Sequence, residues 1–176
     1  MRVGLLVAVT SIAGIVALFV YLNYLAPIKE VRTRDEAEVK VLSLALEIYK
    51  DDHGRYPSDP RTTEVLRPNK TFDPDQYIPS SQFLYRALSG DSDGNPATTD
   101  VADGKNYLVN FLSHSVLRSR EVGGTYIVDP WGNSYGYSTF KSFHPENTDG
   151  NNLTFDLWTT RNGRKQKDQS RWLTNW

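Results

Sequence analysis

The chain has 176 residues, no cysteine, a formal net charge of −1, and four Trp, ten Tyr and seven Phe. That balance excludes a disulfide-stapled scaffold and a cysteine nucleophile, and it leaves no broad cationic footprint for nucleic acid. The 123 residues from 54 to 176 suffice for one compact domain but not for two.

Residues 3–25 are apolar apart from Thr10, Ser11, Tyr21, Asn23 and Tyr24, and they contain no Asp, Glu, Lys or Arg. As a helix these 23 residues extend about 35 Å, enough to cross a hydrocarbon core of about 30 Å. Tyr21 and Tyr24 stand at the far end, where an aromatic belt sits. A cleaved signal peptide has a shorter apolar core and a small-residue cleavage site. The bulky run Tyr21-Leu22-Asn23-Tyr24-Leu25 points instead to a retained anchor. Arg2 on one flank and Lys29, Arg32 and Arg34 on the other do not decide orientation. The Tyr-, Trp-, Asn- and Gly-rich remainder reads as an extracytoplasmic head.

Pro27 either kinks a continuous helix or begins a new one. Beyond it, Ala37, Val41, Leu44, Ala45, Ile48 and Tyr49 recur at the helical period as an apolar stripe. Glu36, Lys40, Ser43, Glu47 and Lys50 take the opposite face, with Glu36 and Lys40 four residues apart. Gly54 ends the helix and Pro57 prevents its resumption.

Five prolines between 57 and 79 mark a loop, with one helical turn expected at 63–66. Residues 81–88 read as a short helix with Phe83, Leu84, Ala87 and Leu88 on one side. Residues 90–104 are a polar loop, and 107–118 read as helix, with strand as the alternative. The pattern then turns to β. Residues 126–128 form a strand, 129–133 a turn, and 134–139 a second strand with Tyr135 and Tyr137 alternating. After a polar loop at 145–152, residues 153–159 form a third strand alternating Leu153, Phe155 and Leu157. The expected fold is α+β, a long N-terminal transmembrane and amphipathic helix packed on a small antiparallel sheet. Residues 1–27 are its membrane half, 28–53 its amphipathic half, and 54–176 the head, with 28–176 forming one domain outside the membrane.

Chemistry-bearing clusters are few. Asp91, Asp93 and Asn95 have the oxygen spacing of a cation loop, but Ala102 stands where an EF-hand has its Glu. A polar turn accounts for the same residues. His53, His114 and His144 have no metal spacing, and no Gly-x-Ser-x-Gly elbow or phosphate loop occurs. Asp51-Asp52-His53 reads as a solvated helix end rather than an acid–base site. The aromatics serve core and subunit contacts. No enzymatic constellation is present in this reading.

Three patches carry a resemblance. The first runs from Val39 to the stop His53-Gly54-Arg55-Tyr56-Pro57. The second is Asp129-Pro130-Trp131-Gly132-Asn133 followed by Ser134-Tyr135-Gly136-Tyr137. The third is Phe155-Asp156-Leu157-Trp158-Thr159 with Asn162-Gly163 and Asn175-Trp176. In this order they resemble the type IV pilin-like family, closest to the major pseudopilins of bacterial type II secretion systems.

The resemblance implies a structural subunit, not an enzyme. It would sit in the bacterial inner membrane by a single pass, with its head in the periplasm or in an extracytoplasmic filament. It would assemble with its own copies or other pseudopilins, contacting membrane lipid and an inner-membrane secretion platform, to drive protein export. A minor or adhesive type IV pilin is the alternative, and a singly anchored periplasmic module that binds a glycan or protein is the alternative of another class. The family cleaves a leader after a Gly and carries a Glu as the fifth mature residue. Gly4 matches the cleavage position, but Val9 stands where the Glu would be. The family also implies Ca²⁺ in the C-terminal loop, at positions matching Thr159, Asn162 and Asp168. Asn162 replaces an acid, and Arg161, Arg164, Lys165 and Lys167 surround it, so salt bridges can stand in for the ion.

Overall fold

From Gly14 on, the apolar N-terminal run and the periodic stretch after it form one helix, α1, Gly14–His53, in a computed structural model that describes residues 14–93, 104–108, 117–119 and 124–176. The chain divides into two units, Met1–Arg34 and Asp35–Trp176. In the first, α1 is long and apolar enough to cross a membrane. Ile15, Val16, Leu18, Phe19, Leu22 and Leu25 are each more than half exposed, so the protein itself does not cover them. Asn23, the polar residue among them, donates through Nδ2 to the Phe19 carbonyl at 2.8 Å, which gives its amide a partner within the helix. Gly4 and Val9 lie outside the described residues.

Of the two expectations at Pro27, the continuous helix is the one found. Proline removes a backbone donor and crowds the preceding turn. The helix accommodates it by widening at Tyr21–Leu25 into a π-turn, where the Ala26 N–H reaches back five residues to the Tyr21 carbonyl. Regular α-helix then continues over Ala26–His53. It ends as expected: the Gly54 N–H caps the Lys50 carbonyl at 2.7 Å, and Gly54 has a φ of +74°.

In the second unit the buried face of α1 is Asp35, Glu38, Val39, Leu42, Ala45 and Leu46. This corrects the expected stripe. Ala37 and Leu44 are exposed, Val41, Ile48 and Tyr49 are half-buried, and Ala45 alone of the six is fully buried. Two carboxylates occupy the face that meets the head, and a hydrophobic pattern assigns such residues to solvent. Glu36 also pairs with Arg161 rather than with its helical neighbour Lys40.

The expected helix at 81–88 is α2, Ile78–Ser89, which begins earlier because a 3₁₀ turn, Pro74–Tyr77, leads into it. The expected turn at 63–66 is present as bonds from Thr62, Thr63 and Glu64 to the Asp59 carbonyl and from Leu66 to Thr62. Strands β1, Leu117–Ser119, and β2, Thr125–Ile127, pair antiparallel. Residues 117–118 are therefore strand, the alternative reading of 107–118, and 109–116 lie outside the described residues. A Val128–Ser134 bridge leads to a second sheet of β3, Gly136–Ser138, β4, Asp156–Thr159, and β5, Leu173–Thr174, antiparallel in that order. A one-turn helix, α3, Phe140–Phe143, comes after β3.

The third strand is shorter than the alternation suggests. Leu153 is 63% exposed, and β4 starts only at Asp156, whose carboxylate accepts the Asn151 and Asn152 N–H groups and holds those residues in a turn. Every residue of β3 and β4 is buried because both faces of the sheet are covered. Tyr137 and Leu157 join Leu42, Leu46, Leu84 and Leu88 of the two helices on one side. On the other side Trp158 packs with Tyr77 and Trp172, against Leu66 and Phe72.

Gly136 and Trp158 are partners in the β3–β4 register, and the indole lies across the glycine. A Cβ on Gly136 would stand 2.1 Å from Trp158 Cε2, whereas one on Gly54 meets nothing within 4 Å. Gly136→Ala is therefore expected to destabilise the head by about 1–3 kcal/mol or more through overpacking. Gly54→Ala is expected to cost only the left-handed backbone term of about 1–2 kcal/mol. Urea unfolding of the full chain, followed by tryptophan fluorescence, checks the order; equal losses would show that the indole moves aside.

Candidate functional site

The turn after β2 is built by one side chain. Asp129 Oδ1 accepts the N–H groups of Trp131 at 2.9 Å and Asn133 at 2.8 Å, and Gly132, at φ +83°, donates to the Asp129 carbonyl. The other carboxylate oxygen accepts the hydroxyl of Thr159 at the end of β4. Thr159 Oγ1 in turn accepts the Arg161 N–H at 3.0 Å, and the Asn133 side-chain amide donates to the Arg161 carbonyl. Two segments about thirty residues apart are thus locked into one corner, with Arg161 held at a φ of +53°.

That corner aims Arg161 at α1. Its Nε donates to Asp35 Oδ2 at 2.6 Å, and its Nη2 lies 3.4 Å from Glu36 Oε1. Asp35 is 0% exposed and Glu38 6%. Tyr135, fully buried, donates its hydroxyl to Glu38 Oε2 at 3.1 Å, with Asp35 Oδ1 at 3.4 Å. Burial pushes the Asp35 carboxyl up, against the downward pull of its Arg161 hydrogen bond and charge. Burial and the neighbouring carboxylates push Tyr135 well above the ordinary phenol range, so it stays a donor. Burial raises Asp129 to about 6, although its hydrogen bonds from Thr159, Asn133 and Trp131 pull the other way.

Other residues singled out in the sequence are fixed structurally. Tyr56 donates back to the Glu47 carboxylate at 2.9 Å, and the Pro57 carbonyl accepts the Tyr137 hydroxyl at 2.7 Å, which ties the helix stop to β3. At the end of α1, Asp52 meets Lys105 at 2.5 Å and the Tyr107 hydroxyl at 3.0 Å, while His53 stacks on Tyr49. Lys105 and Tyr107 hold the Asp52 carboxyl below its ordinary range.

The candidate calcium residues do not assemble a ligand set between them. Thr159 gives its hydroxyl to Asp129, Asn162 is exposed, and Asp168, the one carboxylate of the three, faces Arg171 at 3.7 Å. Ca²⁺ asks for six to eight oxygens, and among the described residues no group of three acidic or histidine side chains is arranged to hold a metal ion. Arg161 and Arg164 place guanidinium groups on the loop's carboxylate neighbours, the salt-bridge arrangement that the cationic sequence suggests. In the other candidate, Asp91 is buried and accepts the Tyr85 hydroxyl at 2.7 Å, Asp93 is exposed, and Asn95 lies outside the described residues. The Arg161–Asp35 connection is what sequence reasoning missed. The clustered cations of residues 161–171 are visible in the sequence, but nothing in them names a partner 126 positions away.

Arg161→Met should leave Asp35 buried without its guanidinium and cost about 3–5 kcal/mol, with Asp35→Leu in the same chain recovering most of the loss. A double-mutant cycle by urea denaturation measures this; an additive cycle would mean the two residues act independently. Asp129 predicts a pH dependence. Its folded value of about 6 lies above the ordinary 3.8, so the folded chain binds the extra proton and this group's contribution to stability is fully present below 3.8. Stability then declines as pH rises through 6, by about 3 kcal/mol in all. Asp129→Asn should flatten the profile between pH 4 and 6, and an unchanged slope would assign it to other buried carboxyls such as Asp156, also raised by burial.

No family model, curated protein or solved structure matches this chain.

Proposed function

We propose that the chain is a structural, pilin-like subunit anchored by one transmembrane helix, serving in a type II secretion pseudopilus. The observation that carries this reading is α1 itself. Its N-terminal stretch presents large apolar side chains on all sides without protein cover, whereas from Asp35 onward the helix is built into the core of an α+β head. Lipid satisfies such a surface before assembly, and neighbouring helices satisfy it afterwards. The three sequence patches that resemble the family also support the reading. They are joined in the head by the Tyr137–Pro57 and Thr159–Asp129 bonds.

On this reading the protein acts mechanically. Anchor helices bundle with those of other copies or related subunits, heads cover the bundle, and addition of subunits at an inner-membrane platform pushes the filament outward. The head lies in the periplasm or in the extracytoplasmic filament. Leader cleavage after Gly4 would start the mature chain at Leu5, and Val9 would then hold the position that the family gives to Glu.

The chain has no cysteine, so a single Leu18→Cys reports neighbouring anchors without background. In a bacterium supplying a pseudopilus assembly machinery, oxidation should yield a ladder of crosslinked subunits in the membrane and in a sedimentable fibre fraction. Val9→Glu should increase that fraction if the missing acid limits assembly, and mass spectrometry of the fibres should give an N-terminus at Leu5. Monomers alone, with an intact N-terminus in both variants, would sink the filament reading in favour of a singly anchored module.

A further inference from the structure

Arg67, Arg161, Arg164 and Arg171 each meet a carboxylate within the head. The side chains of Arg55 and Arg86 have no ion-pair or hydrogen-bond partner among the described residues, and both line one cleft of about 360 Å³. The half-buried rings of Tyr49 and Phe83 line it too, together with buried Pro57 and the hydroxyl-bearing Ser58. Both arginines stand on fixed backbone. Arg55 lies between Gly54, whose N–H caps the Lys50 carbonyl, and Tyr56, which is bonded to Glu47. Arg86 belongs to the last turn of α2, where its carbonyl accepts the Gly90 N–H.

A guanidinium group only donates, and its fork matches the two oxygens of a carboxylate or phosphate. Two such groups on one cleft repel each other, whereas an oxyanion beside them attracts both. The adjoining cleft, of about 370 Å³, shares Arg55 and Ser58 with the first. It is lined by Phe143 and Leu153, large apolar side chains that are each more than half exposed. A small free anion has use for the arginine cleft alone. An extended chain that carries an acidic side chain next to an apolar one has use for both.

We propose that the two clefts form a docking site for an extended acidic peptide segment of another protein. Arg55 and Arg86 hold its carboxylate, and Phe143 and Leu153 receive the neighbouring apolar side chain. Every residue of the site belongs to the unit Asp35–Trp176, so the site stands whether or not the chain assembles into a filament.

The full chain, in phosphatidylcholine nanodiscs, would be titrated into a dye-labelled peptide Gly-Glu-Leu-Glu-Phe-Gly and followed by fluorescence anisotropy. The expected result is saturable binding that weakens with added salt, and by about tenfold or more when Gln replaces Glu in the peptide. Arg55→Gln and Arg86→Gln should each weaken it by about tenfold, and Phe143→Ser by about fivefold. Arg61→Gln, on a separate cleft, should leave it unchanged. The urea midpoints of the Arg55 and Arg86 variants should match that of the unaltered chain, because neither side chain gives up a partner. Equal affinity for the Glu and Gln peptides, or an Arg61→Gln loss as large as that of Arg55→Gln, would overturn the proposal. Inorganic phosphate that competes as well as unlabelled peptide would assign the cleft to a free oxyanion and overturn the peptide site. Self-association in sedimentation that disappears with Arg86→Gln would assign it to a second copy and likewise overturn it.

Discussion

The head depends on a charge pair taken out of water. Desolvating Asp35 and Arg161 costs several kcal/mol per ion, and only close geometry with satisfied hydrogen bonds repays it. The structure supplies that geometry from three directions: Tyr135 beside the carboxylates, Asn133 on the Arg161 carbonyl, and Thr159 on its N–H. Arg161 even adopts left-handed backbone, a conformation unfavourable for a residue with a Cβ. The supporting bonds come from residues 133–135 and from the end of β4, so the pair ties both of these segments to the helix. A purely apolar contact would tolerate sliding along the helix; this pair specifies one register.

The same logic divides the molecule's tasks. Bulk stability comes from two aromatic-rich layers on the faces of the β3–β4–β5 sheet, which are non-directional and tolerate adjustment. Direction comes from a few polar ties that cross long stretches of sequence, among them Tyr137 to Pro57 and Ser138 to the Leu66 carbonyl. These ties fix where the proline-marked segment lies on the sheet, and that segment closes the second face. The long helix and α2 cover one face of the three-stranded sheet, and the proline-marked segment with Trp172 covers the other.

Legibility in the sequence splits along the same line. The helical character of residues 14–53, the stop at Gly54 and the Asp129–Asn133 turn each have a local cause, and each is readable. The rotation of α1 against the head is not, because its buried face carries Asp35 and Glu38, residues that any hydrophobic count sends to solvent. Strand β5 escapes a sequence reading because two residues carry no period. Leu153 is drawn into β4 by its alternation with Phe155 and Leu157, while the Asp156 carboxylate holds the chain before it in a turn. The candidate site is half visible. Arg161 and Thr159 stand out as residues of a distinctive loop, but what they touch is a property of the fold.

The π-turn at Tyr21–Leu25 decides how the apolar stretch of α1 presents its side chains. A wide turn inserts one extra residue into the helical count, which rotates everything before it by roughly 100° against the phase of the residues after it. A helical wheel drawn from the periodic stretch after Ala26 therefore loses its validity upstream of Tyr21. Residues that share a side on that wheel, such as Leu18 and Leu25 spaced at seven, are turned apart on the molecule. Any lateral surface of this apolar stretch has to be mapped as two segments with separate phases, joined at the residues that make room for Pro27.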